Sequence, residues 1–293
     1  MVICQLLLIS LKPGVSIPAF LRILARAGVK PVFQARILRW MILPRETSAG
    51  HLLARNIRWD LLLALEGSTG PAATIPTASR ACIAACWTAT CGVSARALSG
   101  YPRLNVELLT QSRTTAPPAP ELSQLLSSSS TSSQDLQSSR EWVEWMATLP
   151  LSAREHPVSM LNLLAFHPGM KEQYAKYGAE FSRRVGARHG GRVKLVGRVL
   201  AHGPGVGDGS DSDVGAGGGG DVSGEEEEGG WDEIAYVHYP TIRHFAAMAA
   251  SEDYQEVNRR YRLGALRDTF ILCCQEIDDD GELVGAVPGS SRL

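Results

Sequence analysis

A Trp-Asp pair occurs twice in this chain, each time at the head of a strand-like run. Trp59-Asp60 opens WDLLLALEG, and Trp231-Asp232 opens WDEIAYVHYP. Each run is preceded by an apolar strand, a helix and a second strand, in that order. Such an order written twice implies two half-barrels that can close against each other inside one chain. An open four-stranded sheet with one bare apolar face needs a covering layer, and closure removes the edges that invite aggregation.

The first unit begins with VICQLLLISL (2–11), an apolar run of strand length that Lys12-Pro13-Gly14 brings to a turn. Ser16 is placed to cap a helix in which Ile17, Phe20, Leu21 and Leu24 recur at helical spacing and Gly28 is the stop. Pro18 falls in the first turn, where its missing N–H costs nothing. Residues 32–43 read as a strand interrupted by Gln34, Arg36 and Arg39, and the Trp59 strand follows. Ser79 to Cys91 is a small-residue helix candidate, and a closing strand is weakly written near Val106 to Leu109.

The second unit is written more clearly. VSMLNLLAF (158–166) is a strand with Pro168-Gly169 as its turn. Tyr174, Tyr177, Phe181 and Val185 mark one helix face that ends at His189-Gly190-Gly191. Residues 191–202 alternate like a half-buried strand. After the Trp231 strand come a helix over TIRHFAAMAA, a second helix capped by Ser251, and the strand FILCCQEI.

Composition divides the chain further. Residues 111–139 are rich in Ser, Thr, Pro and Gln and read as a disordered linker, too polar to offset their chain entropy. REWVEWMATLP (140–150) regains apolar spacing. Residues 203–230 are mostly Gly, Asp and Glu, a disordered insert between two strands; they lack G-x4-G-K-[ST], and their charge would repel phosphate. The expected domains are thus 1–110 and 140–280, with a flexible tail at 281–293.

At 293 residues with 44% hydrophobic content, there is apolar material for two modest cores. The net charge of −1 gives no electrostatic reason to expect nucleic acid. No apolar run reaches the roughly 18–20 residues of a membrane-spanning helix, so no membrane partner is expected. The spacing of Cys82, Cys86 and Cys91 is not that of a zinc pair, and a reducing compartment suits the six cysteines. The expected location is cytoplasmic. The acid-free, Arg-rich first 45 residues leave a mitochondrial transit segment as the alternative.

The stretches MLNLLAF, YAKYGAEF, HGGRVKLVGRV and WDEIAYVHYP, with TIRHFAAMAASEDYQEVNRRYRLGALRDT, carry a resemblance over about 157–277. They resemble a family of domains of unknown function in the dimeric α+β barrel superfamily. The matching residues are Asn162, Tyr177, Gly190-Gly191, and Tyr254 with Arg262. The resemblance implies an α+β fold class: two ferredoxin-like βαββαβ domains packing as an intramolecular dimeric α+β barrel. Residues 1–110 would be a diverged second copy, lacking the double glycine and the Tyr–Arg helix. Relatives range from cofactor-independent monooxygenases and isomerases to haem proteins, and fold does not settle function.

Among residues able to do chemistry, Asn162 stands out in an otherwise apolar strand, where its amide either bonds a neighbouring element or orients a ligand carbonyl. Tyr177, Tyr254 and Arg262 join it as ligand-binding candidates, Arg262 as a planar fork for a carboxylate. An aromatic core stripe is the competing reading of the tyrosines. His238 is a candidate general base and Asp232 a candidate acceptor. The two lie roughly 20 Å apart along an extended strand and cannot form one dyad. No metal set, Ser-His-Asp order or dinucleotide fingerprint is written, so no cofactor is expected. Two functions remain open: a cofactor-independent enzyme on a small organic molecule, or a non-catalytic binding or interaction module using the same cleft.

Overall fold

Eight runs of apolar or alternating residues become eight strands. They are β1 (Val2–Leu11), β2 (Phe33–Ile42), β3 (Leu61–Gly67) and β4 (Ile83–Val93), then β5 (Val158–Phe166), β6 (Arg192–Pro204), β7 (Glu233–Tyr239) and β8 (Leu266–Glu276). The computed structural model describes residues 1–47, 49–53, 57–67, 75–115, 117–130, 134–204 and 230–284. The strands close into one antiparallel barrel in the order β1-β3-β2-β8-β5-β7-β6-β4.

This corrects the expectation of two ferredoxin-like βαββαβ domains packing as an intramolecular dimeric α+β barrel. There is one closed sheet with one interior. Its seams are hydrogen-bonded ladders, running from Ala35↔Glu276 to Ile42↔Ile271 between β2 and β8, and from Trp87↔Pro204 to Val93↔Gly197 between β4 and β6. The interior takes Leu6, Leu62 and Trp87 from the first half and Leu161, Leu195 and Phe270 from the second. Nor do the described residues of the first half include a full-length second helix of a βαββαβ unit. Between β3 and β4 the described residues hold only the four-residue helix Thr77–Arg80.

The stretch expected as a small-residue helix, Ser79 to Cys91, is mostly β4, and the strand expected near Val106 to Leu109 lies within the helix Ala95–Thr115. Small side chains conceal the alternation: Trp87, Ala89, Cys91 and Val93 point into the barrel, with Cys91 opposite Cys4 of β1. The same helix sends Tyr101 and Asn105 to Glu276 of β8, and that carboxylate also pairs with Lys194 of β6. Within 111–139, expected to be a free linker, Leu122–Ser127 is helical and Leu125 and Leu136 are buried in the second half's outer core. Of the expected insert, residues 205–229 lie outside the described residues, as do 285–293 of the expected tail.

Helices lie on both outer faces. In the first half the helix Ile17–Arg26 lays Phe20, Leu21 and Leu24 on Leu7, Ile9, Leu61, Leu63 and Leu65. In the second, the helices Arg140–Thr148, Lys171–Glu180 and Ile242–Ala250 cover β5, β7 and β8.

The Trp-Asp pairs do the same work in each half. Trp59 and Trp231 both enter the barrel interior. Asp60 accepts from the Leu11 amide at 2.8 Å, and Asp232 accepts from the Phe166 amide at 2.7 Å, so each carboxylate caps the end of its half's first strand. The backbone N–H groups of Asp60 and Asp232 donate to Ile9 and Leu164.

Candidate functional site

On the outer face of the second half the helix cover is incomplete, leaving a cavity of about 320 Å³. Its floor is the sheet, with Met160 and Asn162 from β5 and Glu233, Ala235, Val237 and Tyr239 from β7. Its roof is the helix bearing Tyr174, Tyr177 and Phe181. Most of this lining is apolar or aromatic, with a few converging polar groups, as small-molecule pockets generally are.

Local sequence explains the shape. The roof helix passes into a π-helical turn at Phe181–Val185 and ends at Gly190, whose φ of +72° favours glycine. A Cβ on Gly191 would meet the rings of Phe181 and Tyr239 at 3.0 Å, so the double glycine lets two walls of the cavity approach each other. A second π-helical turn, Asn258–Arg262, carries Arg262. Such turns occur frequently at functional sites.

Asn162 lies opposite Ala235 in the β5–β7 ladder. Its Nδ2 donates to the carbonyls of Met160 and Ala235, both at 3.1 Å. Two flanking carbonyls fix the amide's orientation, because only the nitrogen can donate to them. The Oδ1 atom has no hydrogen-bond partner among the described residues. Of the two expectations for Asn162, the bond to a neighbouring strand is present, made by Nδ2 to Ala235 of β7, and the atom left for a ligand is an acceptor, suited to a ligand N–H or O–H.

Glu233 is the second acceptor. It sits diagonally from Asn162 on the same face, opposite Leu164, with its side chain 15% exposed. Lys171 approaches its carboxylate at 3.3 Å from a largely exposed position. Burial raises the Glu233 carboxyl above the usual carboxylate range, against the opposing pull of Lys171. Sequence reasoning passed over this residue, although a carboxylate on the Ala235–Val237–Tyr239 face of an apolar strand was the available signal.

Of the four expected ligand-binding residues, Asn162 and Tyr177 line the cavity, while Tyr254 and Arg262 lie behind its wall. The Tyr177 and Tyr254 hydroxyls are 3.5 Å apart. Arg262 is buried, reaching Asn258 Oδ1 at 3.5 Å and Thr269 Oγ1 at 3.4 Å. It is not free to clamp a ligand carboxylate directly. Burial raises the phenols of Tyr174, Tyr177, Tyr239 and Tyr254, and the nearby guanidinium of Arg262 works against that rise.

The two catalytic candidates are elsewhere. Asp232 is occupied in capping β5. His238 shares the side of β7 that carries Ile234 and Tyr236 into the barrel interior, away from the cavity. Neither of its ring nitrogens has a partner among the described residues. Burial, then the charges of Lys194 and Arg192 and the neighbouring His244, push its pKa well below the ordinary value, so it is a neutral imidazole sealed from the site. Thiolate chemistry is equally remote. Burial pushes Cys4, Cys86 and Cys91 up to about 12, and none of the six cysteines lines the cavity. Among the described residues no group of three His, Cys, Asp or Glu side chains could hold a metal ion, and no helix is long and apolar enough to cross a membrane.

No family model matches the chain, and no curated protein matches it. Among solved structures, the RPA0582 protein of unknown function from Rhodopseudomonas palustris is similar at 23% identity and a TM-score of 0.30, covering 46% of this chain and 91% of its own. A methylated form of RPA0582 is similar at 22% identity and the same TM-score, covering 52% of this chain and 95% of its own. Likeness at that level leaves the cavity's own chemistry as the guide to function.

Proposed function

We propose that the protein binds a small, largely apolar organic molecule in the cavity between the outer face of β5 and β7 and the Tyr174–Phe181 helix segment. The observation that carries this reading is the orientation of Asn162: both donors are committed to the sheet, and an unpartnered acceptor is left beside a mostly apolar space. Asn162 is half-buried and lines the cavity, so its free oxygen is within reach of a ligand N–H or O–H. With Glu233 as a second acceptor nearby, the favoured ligand carries an N–H or O–H and no carboxylate of its own. Six unpaired cysteines support a reducing compartment, the cytoplasm in this reading.

Catalysis is the second reading, favoured by one group alone: Glu233, a carboxyl raised by burial at the edge of an apolar cavity, as tuned acids and bases are. The test of binding is calorimetric titration of the full chain with small phenols, alcohols and matching carboxylic acids. Phenols or alcohols should bind the wild type, carboxylates should not, and Asn162→Leu should weaken binding at least about tenfold. Equal binding by Asn162→Leu and the wild type would place the ligand elsewhere.

A further inference from the structure

Among the described residues that line the cavity, Glu233 is the sole charged group; no lysine, arginine or histidine joins it. Its partner Lys171 stands outside the lining and reaches the carboxylate at 3.3 Å, with a side chain 58% exposed against 15% for Glu233. An ion pair with one partner largely in water contributes little, so another cation can take the place of Lys171 at small cost. A second acceptor, Asn162 Oδ1, faces the same space, because Nδ2 is committed to the Met160 and Ala235 carbonyls. Asn162 lies opposite Ala235, and Glu233 precedes Ala235 by two residues on the same face. That diagonal separates the bases of the two side chains by about 7–8 Å or slightly less. One ammonium group, with three N–H donors, can span two acceptors so placed.

The rest of the lining suits a cation on an apolar body. Tyr174, Tyr177 and Phe181 follow one another along the roof, with successive ring centroids 5.2 and 6.1 Å apart. The faces of such rings attract a cation, most strongly where water is excluded. Arg262, the buried cation behind the wall, lines a separate cavity of about 110 Å³ with Asp135 and Asp268, so two carboxylates share that space with its charge. Resting on the binding reading above, we propose that the ligand is an organic cation, a primary amine on a compact aromatic or aliphatic body. Its ammonium group displaces Lys171 and bridges the Glu233 carboxylate and Asn162 Oδ1. Binding exchanges one cation at Glu233 for another, and the Lys171 side chain turns to solvent. A neutral alcohol fits the same space but leaves the Glu233–Lys171 pair in place, and a carboxylate would meet Glu233 as a like charge.

The probes are 2-phenylethylamine and its neutral counterpart 2-phenylethanol, titrated calorimetrically into the full chain at about pH 8, where such an amine carries its charge as a lysine does. The amine should bind at least about tenfold more tightly than the alcohol, as an ion-paired hydrogen bond exceeds a neutral one. Glu233→Gln should bring the amine down to the affinity of the alcohol. Lys171→Ala should strengthen amine binding by about threefold, because the competing cation is gone, and leave the alcohol unchanged. Should Glu233→Gln fail to fold, Lys171→Ala carries the decision, and an amine affinity no higher than that of the wild type would overturn the inference. Alcohol binding as tight as amine binding, or an amine preference that survives Glu233→Gln, would overturn it and leave the binding site standing. No binding of either probe would overturn both.

Discussion

The two halves of the barrel share a scaffold and differ on one face. In each, a tryptophan enters the interior and the following aspartate caps the first strand. Counting from that pair, Leu63 corresponds to Ala235 and Leu61 to Glu233; counting back from the capped residue, Leu7 corresponds to Asn162. The ladders agree, since Leu7 lies opposite Leu63 and Asn162 opposite Ala235. The first half has leucine at all three positions and seals them under Phe20, Leu21 and Leu24. The second has an amide, a carboxylate and a small residue under a helix that leaves about 320 Å³ open. One face is filled for stability; its counterpart gives up packing for a polar, hollow surface. Because the surrounding scaffold is held constant, the difference points to the second half as the binding half.

The scaffold part of this comparison can be broken most forcefully at the tryptophans. Trp59→Ala and Trp231→Ala should each destabilise the protein by about 3–5 kcal/mol in chemical denaturation, the usual cost of emptying a buried aromatic site. Trp59 should be the more costly, because its Nε1 also donates to the Leu52 carbonyl at 2.9 Å. A loss at one tryptophan and near neutrality at the other would mean that the two pairs are not equivalent supports.

Exchanging residues between the two faces sharpens the functional part. Leu7→Asn should cost about 2–4 kcal/mol. Its Nδ2 could reach sheet carbonyls as that of Asn162 does, but its oxygen would face Phe20 and leucines without a partner, and apolar packing would be lost as well. Asn162→Leu should remove ligand affinity at a cost of no more than about 1–2 kcal/mol, because only the two Nδ2 hydrogen bonds to the Met160 and Ala235 carbonyls are lost and the leucine adds apolar contact. Thermal unfolding of the two variants side by side decides the matter. A large loss for Asn162→Leu would assign that amide to structure instead of binding.

What the sequence made legible follows the same division. The Trp-Asp heads, the apolar runs of β1 and β5, and the helix caps at Ser16 and Ser251 depend on local periodicity and chemistry, which sequence carries directly. β4 did not read as a strand because two of its interior positions, Ala89 and Cys91, are small, and small residues resemble a helix on paper. One closed sheet in place of two domains was likewise out of reach, since the β2–β8 and β4–β6 seams join residues more than 100 positions apart. At the site, Asn162 and Tyr177 were recognisable as polar groups on apolar faces. Which atom of Asn162 remains free depends on its register with Ala235, and Arg262 lies behind the wall because a π turn sets its direction.

The halves should also differ in acid sensitivity. Six of the seven histidines follow residue 150, and two of them, His238 and His244, are buried with depressed pKa values. Burial is the leading cause for both. For His238 the charges of Lys194 and Arg192 add to it; for His244 the hydrogen bond to the Pro117 carbonyl opposes it. A histidine whose folded pKa lies below its unfolded value binds its proton first in the unfolded chain. Stability is therefore full above about pH 6.5 and falls as the pH drops toward the folded value, by at most about 1.4 kcal/mol per pH unit for each such group. Denaturant unfolding of the wild type between pH 7.5 and 5 should show this decline, and His238→Gln should flatten it by up to one proton's worth, leaving the smaller contribution of His244. An unchanged slope in that variant would mean that the His238 ring binds its proton equally well in the folded chain, so that the interior of the second half is wetter than its packing implies.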